Sequence, residues 1–227
     1  MLWAILVAIV LVVVFGPSIW VRWVMNSYSK EIPGMPGTGG ELAQHLLEKY
    51  DIKAGVEISE IGDHYDPQDR MVRLSQSNYD GKSLTAVAIA AHEVGHAIQH
   101  DRKDTSLQLR TNLVPVANVI ARVSAGLIYA APIVGALTRH PVPFSVLAMI
   151  GLSGLIVRML VHLVTLPTEF DASFGKALPV LTEGKYIAPG EEVAVRRLLR
   201  AAAMTYVAAA LADILNLARW AALLLRR

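Results

Sequence analysis

From Met1 to Val21 the chain carries no charged side chain and is dominated by Leu, Val and Ile. A run of that length crosses the roughly 30 Å apolar core of a bilayer as one helix. No Lys or Arg precedes it, and it is too long for the apolar core of an ordinary signal peptide, so residues 1–24 read as an uncleaved anchor. Leu113 to Leu137 and Val142 to Leu166 repeat the pattern. They are joined by Thr138-Arg139-His140-Pro141 and read as a transmembrane helical hairpin over 111–167. Ala201 to Ala218, within the terminal segment 201–227, is a fourth and shorter candidate, Ala-rich and interrupted by Asp213 and Asn216. The expected fold class is a mainly α membrane protein with about four transmembrane helices. A composition of 54% hydrophobic and 18% charged residues agrees with this reading.

The hairpin stretches each contain one arginine, Arg122 and Arg158. Arg122 lies 17 residues before Arg139 and Arg158 lies 18 after His140. At 1.5 Å per residue both stand roughly 26 Å from the hairpin tip, about one hydrocarbon thickness. They therefore share a headgroup level on the side opposite the tip. Anchoring is the plain reading, and a functional intramembrane charge is the sharper one. Arg22, Arg122, Arg158 and Arg200 mark the same end of alternating spans. The positive-inside rule places that end, with both polar segments, in the cytoplasm. Arg219, Arg226 and Arg227 then fall outside, or the last segment does not span.

The segment 25–110 is polar enough to form a small α+β domain. Ile32-Pro33-Gly34-Met35-Pro36-Gly37 is a loop by its turn residues. Glu41 to Tyr50 has the spacing of an amphipathic helix. Val56 to Ile58 and Met71 to Ser75 read as short strands with Asp66-Pro67-Gln68-Asp69 turning between them. Ser83 is an N-cap for a helix from Leu84 to about His100. In the second polar segment, 168–200, Glu191-Glu192 opens a short helix ending at Arg196-Arg197 and Arg200.

The Leu84 helix contains Ala90-Ala91-His92-Glu93-Val94-Gly95-His96, an H-E-x-x-H pattern with apolar flanks. On a helix, positions i and i+4 lie on one face, so both imidazoles reach one zinc ion. Glu93 follows the first ligand and is placed to act as general base toward a zinc-activated water. The chain has no cysteine, so a third ligand must be His or a carboxylate. Glu169, just past the third span, is the first candidate, because the hairpin returns the chain to the level of the zinc helix. His100 and His162 are its rivals. Asp171 is a candidate acceptor for a ligand imidazole's N–H, or a solvated charge. His64 and, more weakly, Tyr79 are candidates for substrate contact or for structure. Val72, Arg73 and Leu74 are the candidate edge strand that takes substrate by strand addition.

The chain resembles the YugP-like neutral zinc metallopeptidases, bacterial membrane proteins. The resemblance is carried by Asp63-His64-Tyr65-Asp66-Pro67, Val72-Arg73-Leu74-Ser75, Ala91-His92-Glu93-Val94-Gly95-His96-Ala97-Ile98-Gln99 and Pro167-Thr168-Glu169-Phe170-Asp171-Ala172-Ser173. It implies a zincin with one Zn2+ on His92, His96 and Glu169, with Glu93 catalytic and peptide or membrane-protein substrates. The stretch Glu169 to Ser173 is also similar to the E-x-x-A-D stretch of HtpX-like membrane proteases. Ser173 stands where that stretch ends in aspartate, so that residue's role is either absent or taken by Asp171. The functional reading is a membrane-bound zinc endopeptidase of the bacterial plasma membrane, working at the cytoplasmic face, with membrane-protein quality control as a plausible task. The alternatives are a non-catalytic zinc scaffold and a transporter-like bundle built on Arg122, Arg158 and Asp213. A net charge of +2 is too small to imply a nucleic-acid partner.

Overall fold

A computed structural model of the protein describes residues 2–225, which leaves the predicted outside charges Arg226 and Arg227 beyond the described residues. The elements in chain order are α1 (Leu2–Ser27), α2 (Gly39–Lys49), β1 (Gly55–Ile58), β2 (His64–Asp66) and β3 (Met71–Leu74). These are followed by α3 (Gln76–Tyr79), α4 (Leu84–Asp101), α5 (Thr105–Thr138) and α6 (Pro141–Phe170). A π-helical segment (Asp171–Ala177), α7 (Leu178–Glu183) and α8 (Glu192–Leu225) complete the chain. The protein is mainly α with a small sheet, and among the described residues four helices are long and apolar enough to cross a membrane: 8–27, 105–138, 141–183 and 189–220. Val12, Ile133 and Met149 are among the large apolar side chains they leave exposed, as lipid-facing surfaces require. The helix opened by Glu192 does not stop at Arg200, as the sequence suggested. It runs unbroken through Ala201 to Leu225, because no Gly or Pro interrupts the Ala- and Leu-rich stretch.

The chain divides into two compact units. One comprises Met1–Pro17, Leu109–Thr165 and Tyr206–Arg227. Within it, small residues line the meeting of α5 and α6. A Cβ added at Gly154 would strike Ser124, and one at Gly151 would strike Ile128. Close backbone approach of this kind is how helices associate in lipid, where no hydrophobic force drives them together. The same unit pairs Arg158 with Asp213 across α6 and α8, Nε to Oδ2 3.2 Å.

The other unit comprises Ser18–Gln108 and Leu166–Thr205. Its core gathers Leu46 and Leu47 of α2, Val72 and Leu74 of β3, Val87 to Ile98 of α4, and Leu181, Leu198 and Leu199. Local signals explain its elements. Thr38 and Glu41 form a reciprocal capping box at the start of α2. The Ser83 hydroxyl accepts from the Ala86 N–H and starts α4. The sheet order is β1-β3-β2, with β1 parallel to β3 and β2 antiparallel to it. Two expectations change here. The turn at Asp66 to Asp69 joins β2 to β3 rather than β1 to β3. In addition, β3 is the central strand, flanked on both sides, so Val72, Arg73 and Leu74 have no free edge for a substrate backbone. Val72 and Leu74 face the core, and Arg73 points to the opposite face. There its guanidinium meets the carboxylates of Glu57, Asp66 and Asp69 at 2.5–2.6 Å.

Candidate metal centre

Helix α4 is buried along almost its whole length, from Leu84 to Gln99. It therefore carries His92, Glu93 and His96 into the interior, each less than one-tenth exposed. Opposite lies the end of α6. Glu169, 1% exposed, directs Oε2 to within 3.4 Å of both His92 Nε2 and His96 Nε2. Among the described residues these three side chains form the only group of His and carboxylate ligands able to hold a metal. The two edges from Glu169 to the imidazoles fit zinc. Arms of about 2.0–2.1 Å in a tetrahedron give ligand-to-ligand edges of about 3.3 Å. One carboxylate and two imidazoles leave a fourth position, as a catalytic zinc needs.

Two features bring the elements this close. Past Phe170 the helix widens into π geometry over Asp171–Ala177, which shifts the angular position of each side chain there. Gly95, between the two histidines, supplies the clearance. A Cβ at Gly95 would lie 2.6 Å from the carbonyl oxygen of Ala172.

The imidazoles are oriented from behind. Ser173 Oγ donates its one hydrogen to the Leu199 carbonyl at 3.0 Å and so accepts from His92 Nδ1 at 3.0 Å. Gln99 donates through Nε2 to the Thr168 carbonyl, 3.0 Å, and to Asp171 Oδ2, 2.8 Å. Its Oε1 therefore accepts from His96 Nδ1 at 2.9 Å. Both rings carry hydrogen on Nδ1 and turn the Nε2 lone pair toward Glu169, the tautomer a metal ligand requires.

Residues 3–225 match the family described as "Putative neutral zinc metallopeptidase". The chain belongs to this neutral zinc metallopeptidase family. It is also similar to the "Putative membrane protease YugP" of Bacillus subtilis (strain 168), with 36% identity over 214 residues covering 90% of each chain. No solved structure matches.

In this member of the zinc metallopeptidase family, the remaining candidate residues fall elsewhere. His100 is outside the triad, and its Nδ1 meets the Tyr65 hydroxyl at 2.8 Å. Burial holds His100 below its ordinary value of 6.5 and pushes the Tyr65 phenol up to about 12. His162 lies 3.5 Å from Asp213, in the other unit. His64 Nδ1 bonds the Gly62 carbonyl at 3.0 Å, and Tyr79 packs its ring under Gly40. Asp171 does not touch an imidazole. Gln99 stands between it and His96, and Lys176 Nζ donates to both of its oxygens, Oδ2 at 2.8 Å and Oδ1 at 3.0 Å. The sequence reading left Gln99 without a role and Ser173 as a departure from a related pattern. For Gln99 the signal was its i+3 spacing from His96, which puts the two on one helix face.

Proposed function

We propose that the protein is a membrane-bound zinc endopeptidase. The observation that carries this reading is the buried His92, His96 and Glu169 group with zinc-like edges and Nδ1-protonated imidazoles. His92, His96 and Glu169 hold one zinc ion. When bound, zinc supplies Lewis acidity to a peptide carbonyl and lowers the pKa of a water toward 7. Glu93, buried and next to His92 on the same helix, takes the proton from the attacking water. It then delivers that proton to the leaving amine nitrogen, so peptide hydrolysis balances within one carboxylate. Ser173 and Gln99 keep the two imidazoles in the ligating tautomer. Polypeptides, membrane proteins among them, are the substrates, and membrane-protein quality control is the task that fits an enzyme anchored in the bilayer. The arginine distribution supports a site on the cytoplasmic side of a bacterial plasma membrane.

Zinc stoichiometry and casein cleavage, measured in detergent on wild type, Glu93→Gln and Glu169→Ala, test the reading. Glu93→Gln keeps zinc and loses cleavage by several orders of magnitude, whereas Glu169→Ala loses the zinc. Undiminished cleavage by Glu93→Gln refutes the mechanism, and wild-type zinc affinity in Glu169→Ala refutes the ligand set. Ion flux that survives Glu93→Gln, with no cleavage by the wild type, supports the transporter reading instead.

A further inference from the structure

The membrane unit holds a second polar feature that proteolysis does not use. Asn118, Ala121, Arg122 and Ala125 fall at i, i+3, i+4 and i+7 on one face of α5. With Arg158 of α6 they line an open cleft of about 470 Å³. The two guanidinium groups are supplied by neighbouring helices of the hairpin, both roughly 26 Å from its tip and therefore at one headgroup level. Arg158 is held from one side: Asp213, 6% exposed, contacts its Nε at 3.2 Å. Arg122 Nε reaches the Asn118 carbonyl at 3.4 Å, and among the described residues no carboxylate pairs with it. The cleft thus has excess positive charge, fork-shaped donors and small Ala side chains that leave room between them. Planar guanidinium pairs match the oxygens of a phosphate ester.

We infer that this cleft binds the phosphate of an anionic membrane lipid. A basic pocket between transmembrane helices at headgroup depth selects anionic headgroups over zwitterionic ones, because a second cationic group in the headgroup cancels the attraction. Asp213 serves the site as a positioning residue that fixes the Arg158 guanidinium. The inference is independent of the proteolytic reading.

The test uses the full chain in nanodiscs of phosphatidylcholine containing a minority of phosphatidylglycerol, with retained lipid counted by native mass spectrometry after release into detergent. Wild type retains phosphatidylglycerol in preference to phosphatidylcholine. Arg122→Gln lowers that preference about fivefold, the weight of one basic residue near an anionic surface. Arg122 is exposed, so this variant folds even if Arg158→Gln, which strips Asp213 of its arginine partner, does not. Arg219→Gln, exposed and outside the cleft, leaves the preference unchanged. An equal loss in Arg219→Gln, or no loss in Arg122→Gln, overturns the site. Inorganic phosphate raises the melting temperature of wild type in pure phosphatidylcholine discs less than phosphatidylglycerol does. An equal or larger rise means a free-anion site and overturns the lipid assignment.

Discussion

Gly95→Ala separates two opposing effects at one position. Alanine is the better helix former by about 1 kcal/mol, so on propensity alone the substitution stabilises α4. The structure predicts the reverse. The new Cβ falls 2.6 Å from the Ala172 oxygen, and ordinary contacts begin at 3.4 Å, so the two backbones must part by about 0.8 Å. Both atoms belong to helices packed in a buried core, where forced overpacking costs about 1–3 kcal/mol. The net expectation is a loss of up to about 2 kcal/mol. The larger consequence is local. Ala172 lies three residues past Glu169, and Gly95 is flanked by the two histidines. Parting the helices stretches the 3.4 Å edges toward about 4 Å, beyond the roughly 0.2 Å that zinc coordination tolerates. Zinc affinity falls at least about tenfold, measured by competition against a chromogenic chelator, and the melting temperature of the chelated protein falls too. A Gly95→Ala protein that melts higher than wild type and holds zinc as tightly would refute the close approach of α4 and the π-helical segment.

Ser173→Ala removes the acceptor for His92 Nδ1 and leaves the hydrogen unpaired in the core. Zinc affinity falls about 10–100-fold in the same competition assay, with the triad side chains intact. His100 gives a pH dependence separate from the metal. Its folded form resists protonation through burial, so the unfolded chain takes the proton first. Stability of the chelated protein therefore falls as pH drops below 6.5. In His100→Gln that part of the acid loss is absent, read as a shallower fall of the denaturant midpoint with pH. Equal slopes in the two proteins would remove His100 as a source.

Much of this architecture is legible without coordinates because its signals are local or long. The hairpin needs only apolar length, and α4 needs Ser83 and a run of Ala and Val. His92, Glu93 and His96 need one helical turn, and their meeting with Glu169 follows from the hairpin's return. What is not legible depends on register between distant elements. β2 is three residues long and too short for alternation to show. The parallel pairing of β1 with β3 is a non-local choice, and it turns Arg73 from a presumed edge residue into the centre of a carboxylate cluster. The π-helical segment has no composition signature. It decides that Ser173 reaches His92 and that Asp171 stops at Gln99.

Leu199 acts on the candidate metal centre through its main chain. Its carbonyl takes the Ser173 hydrogen and thereby sets which nitrogen of His92 bears a proton. Side-chain replacement at position 199 changes packing and leaves that carbonyl in place, so an alanine scan along α8 is blind to its contribution. The genetic trace of this link is confined to Ser173. A survey of variants that ranks residues by the effect of truncating them will place the fourth apolar helix outside the candidate metal centre, although one of its peptide groups orients a histidine of that centre.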